Sequence, residues 1–130
     1  MNEQGSMIPI VGVVLLCGLL MLGVAVELGR WAATMRTATA AADAGARAGS
    51  VVLDRTQLYS GNLALDPRSA ESEAVRSALA YPAPVVVGAE AEASTSGLCV
   101  TVEAEFRAGI GKAFGLSDRH VTVVSCAEPR

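Results

Sequence analysis

The chain has 130 residues, room for one small domain, and 52% of its side chains are hydrophobic while only 4% are aromatic. A net charge of −3 and a single lysine, Lys112, leave no basic stripe for phosphates, which argues against nucleic-acid binding. The mean hydropathy of +0.43 is high for a soluble domain, but the apolar excess lies almost entirely before Ala48.

In chain order, the first element is the charge-free run of 20 residues from Met7 to Val26, long enough to cross a bilayer. Only Met1 to Gly5 precede it, without Lys or Arg, and the run exceeds the roughly 7–15 residues of a signal-peptide core, so removal by ordinary signal peptidase is not expected. No break follows the run. Glu27-Leu28-Gly29-Arg30-Trp31 leads into the alanine-rich stretch Ala32 to Ala48, and alanine is the best helix former. One continuous helix from about Ile8 to Ala48 is predicted, on the order of 60 Å long, so that about half of it projects beyond the hydrocarbon. Arg30 and Trp31 fall at the interfacial level.

Along the projecting half, Trp31, Met35, Ala38, Ala42, Gly45 and Gly49 recur at spacings of 3 and 4 and make a narrow stripe of mostly small side chains. Such a stripe admits close approach either by a helix of another subunit or by the chain's own domain. Glu27 has two readings as well: an i,i+3 ion pair with Arg30, or registration against a neighbouring subunit, since a carboxylate near lipid needs a partner.

Residues 51–66 are turn-rich and read as a surface loop. Asp66-Pro67 then offers an N-cap with proline at the first helical position, predicting a helix from Pro67 to about Ala80 with Ala70, Ala74, Val75, Ala78 and Leu79 on one side. Tyr81-Pro82-Ala83-Pro84 ends it. Strands are predicted over Val85 to Ala93, Leu98 to Phe106 and His120 to Cys126. An antiparallel register that sets Val102 opposite Val123 and Ala104 opposite Val121 also sets Glu105 opposite His120 and Cys99 opposite Cys126. Cys99 and Cys126 are therefore a candidate disulfide, which fits an oxidising compartment and contributes on the order of 3 kcal/mol; two separate reduced thiols are the alternative. Cys17 sits in the apolar run as a small hydrophobe. Between the last two strands, Arg107 to Asp118 carries Ile110, Phe114 and Leu116 among glycines and reads as a packed flap or a partner-binding tip. The fold class is α+β: a long N-terminal transmembrane helix followed by a small domain with a short helix and a three-stranded, mainly antiparallel sheet.

Catalytic chemistry has thin support. His120, the only histidine, has Glu105 as a cross-strand neighbour but no nucleophile at recognisable spacing, and two cysteines with one histidine do not make a zinc site. Glu90, Glu92, Glu103 and Glu105 at period 2 read as a solvated sheet face, and Gly109-x-Gly111-Lys112 lacks the phosphate-loop pattern. No catalytic residue, metal ligand or cofactor is assigned, and no enzyme activity is expected.

The chain resembles the pilin-like TadE/TadG-type proteins of the tight-adherence (Flp, type IVc) pilus machinery. The resemblance is carried by Gln4-Gly5-Ser6, by Val26-Glu27-Leu28-Gly29-Arg30, by the alanine-rich segment Ala40 to Gly49, and by the later order of short helix, Cys99-Val100-Thr101-Val102-Glu103, Phe114-Gly115-Leu116 and Val121-Thr122-Val123. It implies a pilin-like helix, a leader over residues 1–5 cut by a prepilin peptidase between Gly5 and Ser6, a long helix over 6–50 that spans the membrane at about 7–26, and an extracytoplasmic domain over 67–130. It further implies a single-pass protein of the cytoplasmic (inner) membrane, a minor pilin or pseudopilin that primes or tips a filament. The implied partners are the lipid bilayer, other pilin subunits and pilus-assembly membrane proteins. Ile10 stands at the fifth mature position, where major pilins carry glutamate, and Arg30, Arg36 and Arg47 follow the span, so charge bias does not support the family orientation. A membrane-anchored binding module outside any filament, using the loop Arg107 to Asp118, is the alternative.

Overall fold

The computed structural model describes residues 7–115 and 117–129. Helix α1, Met7–Ser50, runs unbroken for 44 residues, about 65 Å at the usual rise. Its one proline, Pro9, sits in the first turn, where a missing N–H costs nothing. From Pro9 to Val26 the side chains are open, with Leu19 66% and Met21 77% exposed. From Thr34 on, buried positions return at helical spacing through Ala38, Ala41, Ala42, Gly45, Ala46 and Gly49.

The segment after α1 is not wholly irregular. Asp54 caps the short helix α2, Arg55–Tyr59, by accepting from Thr56 N–H at 2.8 Å. A bridge between Leu53 and Leu65 closes the excursion, and Leu65 enters the core at 1% exposure. Five residues of helix cannot be read from composition, because so short a helix stands on its cap and closing bridge rather than on propensity.

Helix α3, Pro67–Leu79, begins with proline in its first turn, as the sequence predicts. The cap differs: Asp66 makes no side-chain bond to the backbone and instead accepts from Ser69 Oγ at 2.7 Å. Ala70, Ala74 and Ala78 form the buried face, whereas Val75 is half-buried and Leu79 is 51% exposed. Leu79 follows Ala78 by about 100° of rotation, which turns it off the four-residue alanine row.

Strands β1, Val86–Ser94, β2, Gly97–Phe106, and β3, Arg119–Ala127, form an antiparallel sheet in that order, with a bulge between Val86 and Gly88. The register of β2 on β3 is the predicted one: Cys99 with Cys126, Val102 with Val123, Ala104 with Val121 and Glu105 with His120. Leu98, Val100, Val102, Ala104 and Phe106 are buried on the face toward the helices, and α1 and α3 cover that face as a second layer. The small side chains of both helices let these layers approach closely. Cys99 and Cys126 are bonded on the other face, with Cα atoms 4.0 Å apart. A link closing a separation of 27 residues is worth about 3 kcal/mol, a large share of the stability of a domain with so small a core.

Candidate functional site

Among the described residues no cavity with convergent polar groups dominates; the distinctive surface is α1 itself, divided at Glu27. Below that level lies the apolar stretch, the one helix of the described residues long and apolar enough to cross a membrane. Cys17 is exposed there as a free thiol.

At the dividing level the domain grips the helix. Glu27 Oε1 accepts from the Gly109 N–H at 2.8 Å, and Oε2 is buried without a hydrogen bond, with Arg30 Nη1 3.9 Å away. Arg30 Nη2 donates to the Arg107 carbonyl at 3.3 Å. Trp31 meets Phe106 edge to face, with centroids 5.1 Å apart. The i,i+3 pair of Glu27 with Arg30 is thus present, and the carboxylate also registers the helix against the chain's own loop. A Cβ at position 109 would displace the Arg30 guanidinium from its present place.

That loop, Arg107 to Asp118, holds a 3-10 turn over Ile110–Phe114 and is tied by two ion pairs. Arg107 donates to Glu105 through Nε at 3.1 Å and Nη2 at 3.0 Å, and this carboxylate raises the guanidinium pKa above its ordinary value. Lys112 Nζ stands 3.1 Å from Asp118 Oδ2, while Asp118 Oδ1 accepts from the Ala108 N–H at 3.0 Å. The Lys112 bond, helped by the Ala108 N–H, holds the Asp118 carboxyl below its ordinary range. Leu116 of this loop, like Gly5 and Ser6 at the predicted processing point, lies outside the described residues.

Above the dividing level the small-residue stripe is already occupied. Ala38, Ala42, Gly45 and Gly49 are buried, and Trp31 and Met35 are half-buried. A Cβ on Gly45 would come 2.8 Å from the Ala74 carbonyl oxygen, and one on Gly49 would meet the Leu98 side chain and, at 2.9 Å, the Ala70 carbonyl oxygen. The two readings of the stripe are compatible; at Ala38, Ala42, Gly45 and Gly49 it packs on the chain's own domain, while Trp31 and Met35 stay partly open. Small residues that stay open lie on another face: Ala25, Gly29 and Ala33, at the spacing of four that permits close helix approach.

Two side chains bind α1 and α3 to the sheet and carry no sequence signature. Asp43 Oδ1 accepts from Ser125 Oγ at 2.5 Å, and Glu71 Oε1 accepts from the Ala93 N–H at 3.0 Å. Asp43 looks like one polar residue in an alanine tract until β3 is placed against it. His120 faces Glu105 in register, and Glu105 Oε2 accepts from Arg107. Among the described residues no three of the His, Cys, Asp and Glu side chains are grouped to hold a metal ion.

α1 thus joins a stretch long and apolar enough to cross a membrane to the spine of a small α+β domain. Residues 5–52 match the family model described as "Putative Flp pilus-assembly TadE/G-like". The TadE/G-like match covers all of α1 and the two residues after it, and the family it points to is one of pilus assembly. Neither a curated protein nor a solved structure matches the chain.

Proposed function

We propose that this chain is a minor pilin or pseudopilin that primes, tips or enters a tight-adherence-type pilus through α1. The observation that supports the reading best is the division of α1: half of one helix is open and apolar, while the other half is the core of the domain it carries. Such a helix can rest in lipid and later pass among other helices without any refolding of the domain. In this reading a prepilin peptidase cuts between Gly5 and Ser6, and the domain lies outside the inner membrane, where the Cys99–Cys126 bond persists. Subunit contacts then fall on the open Ala25, Gly29 and Ala33 face and on the span, not on the stripe that ends at Gly49.

Mass spectrometry of the protein recovered from its native membrane tests the proposal. A mature chain beginning at Ser6 is expected. An intact Met1 overturns it and favours a membrane-anchored binding module outside any filament.

A further inference from the structure

The loop between β2 and β3 lies beside the membrane-spanning part of α1, not above it. Ile110 Cγ2 would be 3.8 Å from a Cβ at Gly23, and Gly23 precedes Glu27 by four residues, which is about 6 Å further into the apolar run. If α1 crosses a bilayer over its charge-free stretch, Ile110 reaches the depth of the hydrocarbon edge. Ile110 is nevertheless 50% exposed, on the rim of a groove of about 630 Å³. The groove is lined on one side by Leu19, Leu20 and Val24 of the span, and on the other by Phe106 and Ile110.

Charges around the loop are arranged as they are at a bilayer surface. Arg107 is tied to Glu105 and Lys112 to Asp118, while Arg30 stands 3.9 Å from Glu27, whose second oxygen has no hydrogen bond. Lys112, the charged residue of the 3-10 turn, has its ammonium held at Asp118. A water-facing loop has no need to place an exposed isoleucine beside Gly23.

We propose that the turn Ala108 to Lys112 is a membrane-dipping foot, and that the groove between it and α1 takes a lipid acyl chain of the leaflet on the domain's side. The inference rests on the reading of α1 as a membrane span. Lipid is the occupant because the groove continues the apolar surface of the span through Leu19, Leu20, Gly23 and Val24, while its charged lining residues are Glu27 and Arg119, the latter opposite Phe106 in the sheet. The foot gives the domain a second point of attachment and fixes its rotation about the helix axis.

The test uses the full chain in phosphatidylethanolamine/phosphatidylglycerol vesicles containing lipids spin-labelled at a shallow acyl position. A fluorophore is placed at Ile110→Cys or Tyr59→Cys in a Cys17→Ser background, and at native Cys17 in the parent chain. Tyr59 is 92% exposed on α2 and serves as the water-side reference. Quenching at position 110 is expected to exceed that at position 59 by roughly threefold or more, as for a residue lying several ångströms into the interface. Equal quenching at 110 and 59, with strong quenching at Cys17, overturns the foot and leaves the span intact. Loss of quenching at Cys17 overturns the span and the foot together. A disulfide-linked dimer through the thiol introduced at 110, with no lipid quenching, overturns lipid in favour of a second copy of the chain. Ser117→Cys, exposed on the same loop, provides the reporter if the Ile110 variant does not fold.

Discussion

The two halves of α1 are built from the same helical backbone, yet they meet opposite surroundings. Residues 9–28 turn bulky aliphatic side chains outward on every side, whereas residues 34–50 turn alanine and glycine inward against α3 and the sheet. The difference lies in side-chain size. Large aliphatics around the whole circumference need a solvent that welcomes them everywhere, and lipid is that solvent. Small residues along one face need a close neighbour, and the domain supplies it. A helix can therefore be half solvent-adapted and half core-adapted with no joint between the two parts.

The sharpest way to break this comparison is to insert the same side chain into both halves. Gly49→Leu drives its side chain into Leu98 and the Ala70 carbonyl and is expected to cost at least about 3 kcal/mol, read as a lowered unfolding midpoint. Gly29→Leu meets open space and should leave that midpoint unchanged while reducing co-purification with other pilin subunits. A stable Gly49→Leu protein would show that the stripe is not core.

A smaller effect comes from the polar tie on the buried half. Asp43→Ala leaves Ser125 without its acceptor and should lower stability by about 1.5 kcal/mol, as for other hydrogen bonds to charged groups. Urea titration of the vesicle-bound protein measures it, and an unchanged midpoint would mean that Asp43 merely decorates the helix.

The smallest effect is the response of the loop to acid. Asp118 has a folded pKa lowered from the ordinary 3.8, chiefly by its bond from Lys112, so it favours the folded loop above that value. As pH falls below 3.8 and through the lowered folded value, that contribution is lost. Amide exchange at Ala108 should then rise in the acid range and stay flat in Asp118→Asn, where the titration is gone. Because the carboxylate is exposed, the whole-domain midpoint should barely move.

Much of this arrangement was legible in the sequence. The β2 and β3 register was fixed twice over, since the valine alternation and the cysteine pair agree on one alignment. The continuous helix followed from an alanine tract with no proline after Pro9. What the stripe touches was not legible, because small residues at helical spacing specify close approach without naming the partner. Asp43 and Glu71 were equally silent: each takes its meaning from an atom 82 or 22 residues away. Glu27 stood out by its position beside the apolar run, and the structure added Gly109 as its second partner.

The absence of any proline between Val11 and Ser50 has a mechanical consequence. A helix that is at once the anchor and the spine of its load has no joint at which to lose motion. Drawing α1 along its axis by one turn lifts the sheet and α3 by the same ~5.4 Å, and twisting it sweeps the outer sheet face through the same angle. Head and rod are one piece, so a displacement of the apolar end is a displacement of the domain.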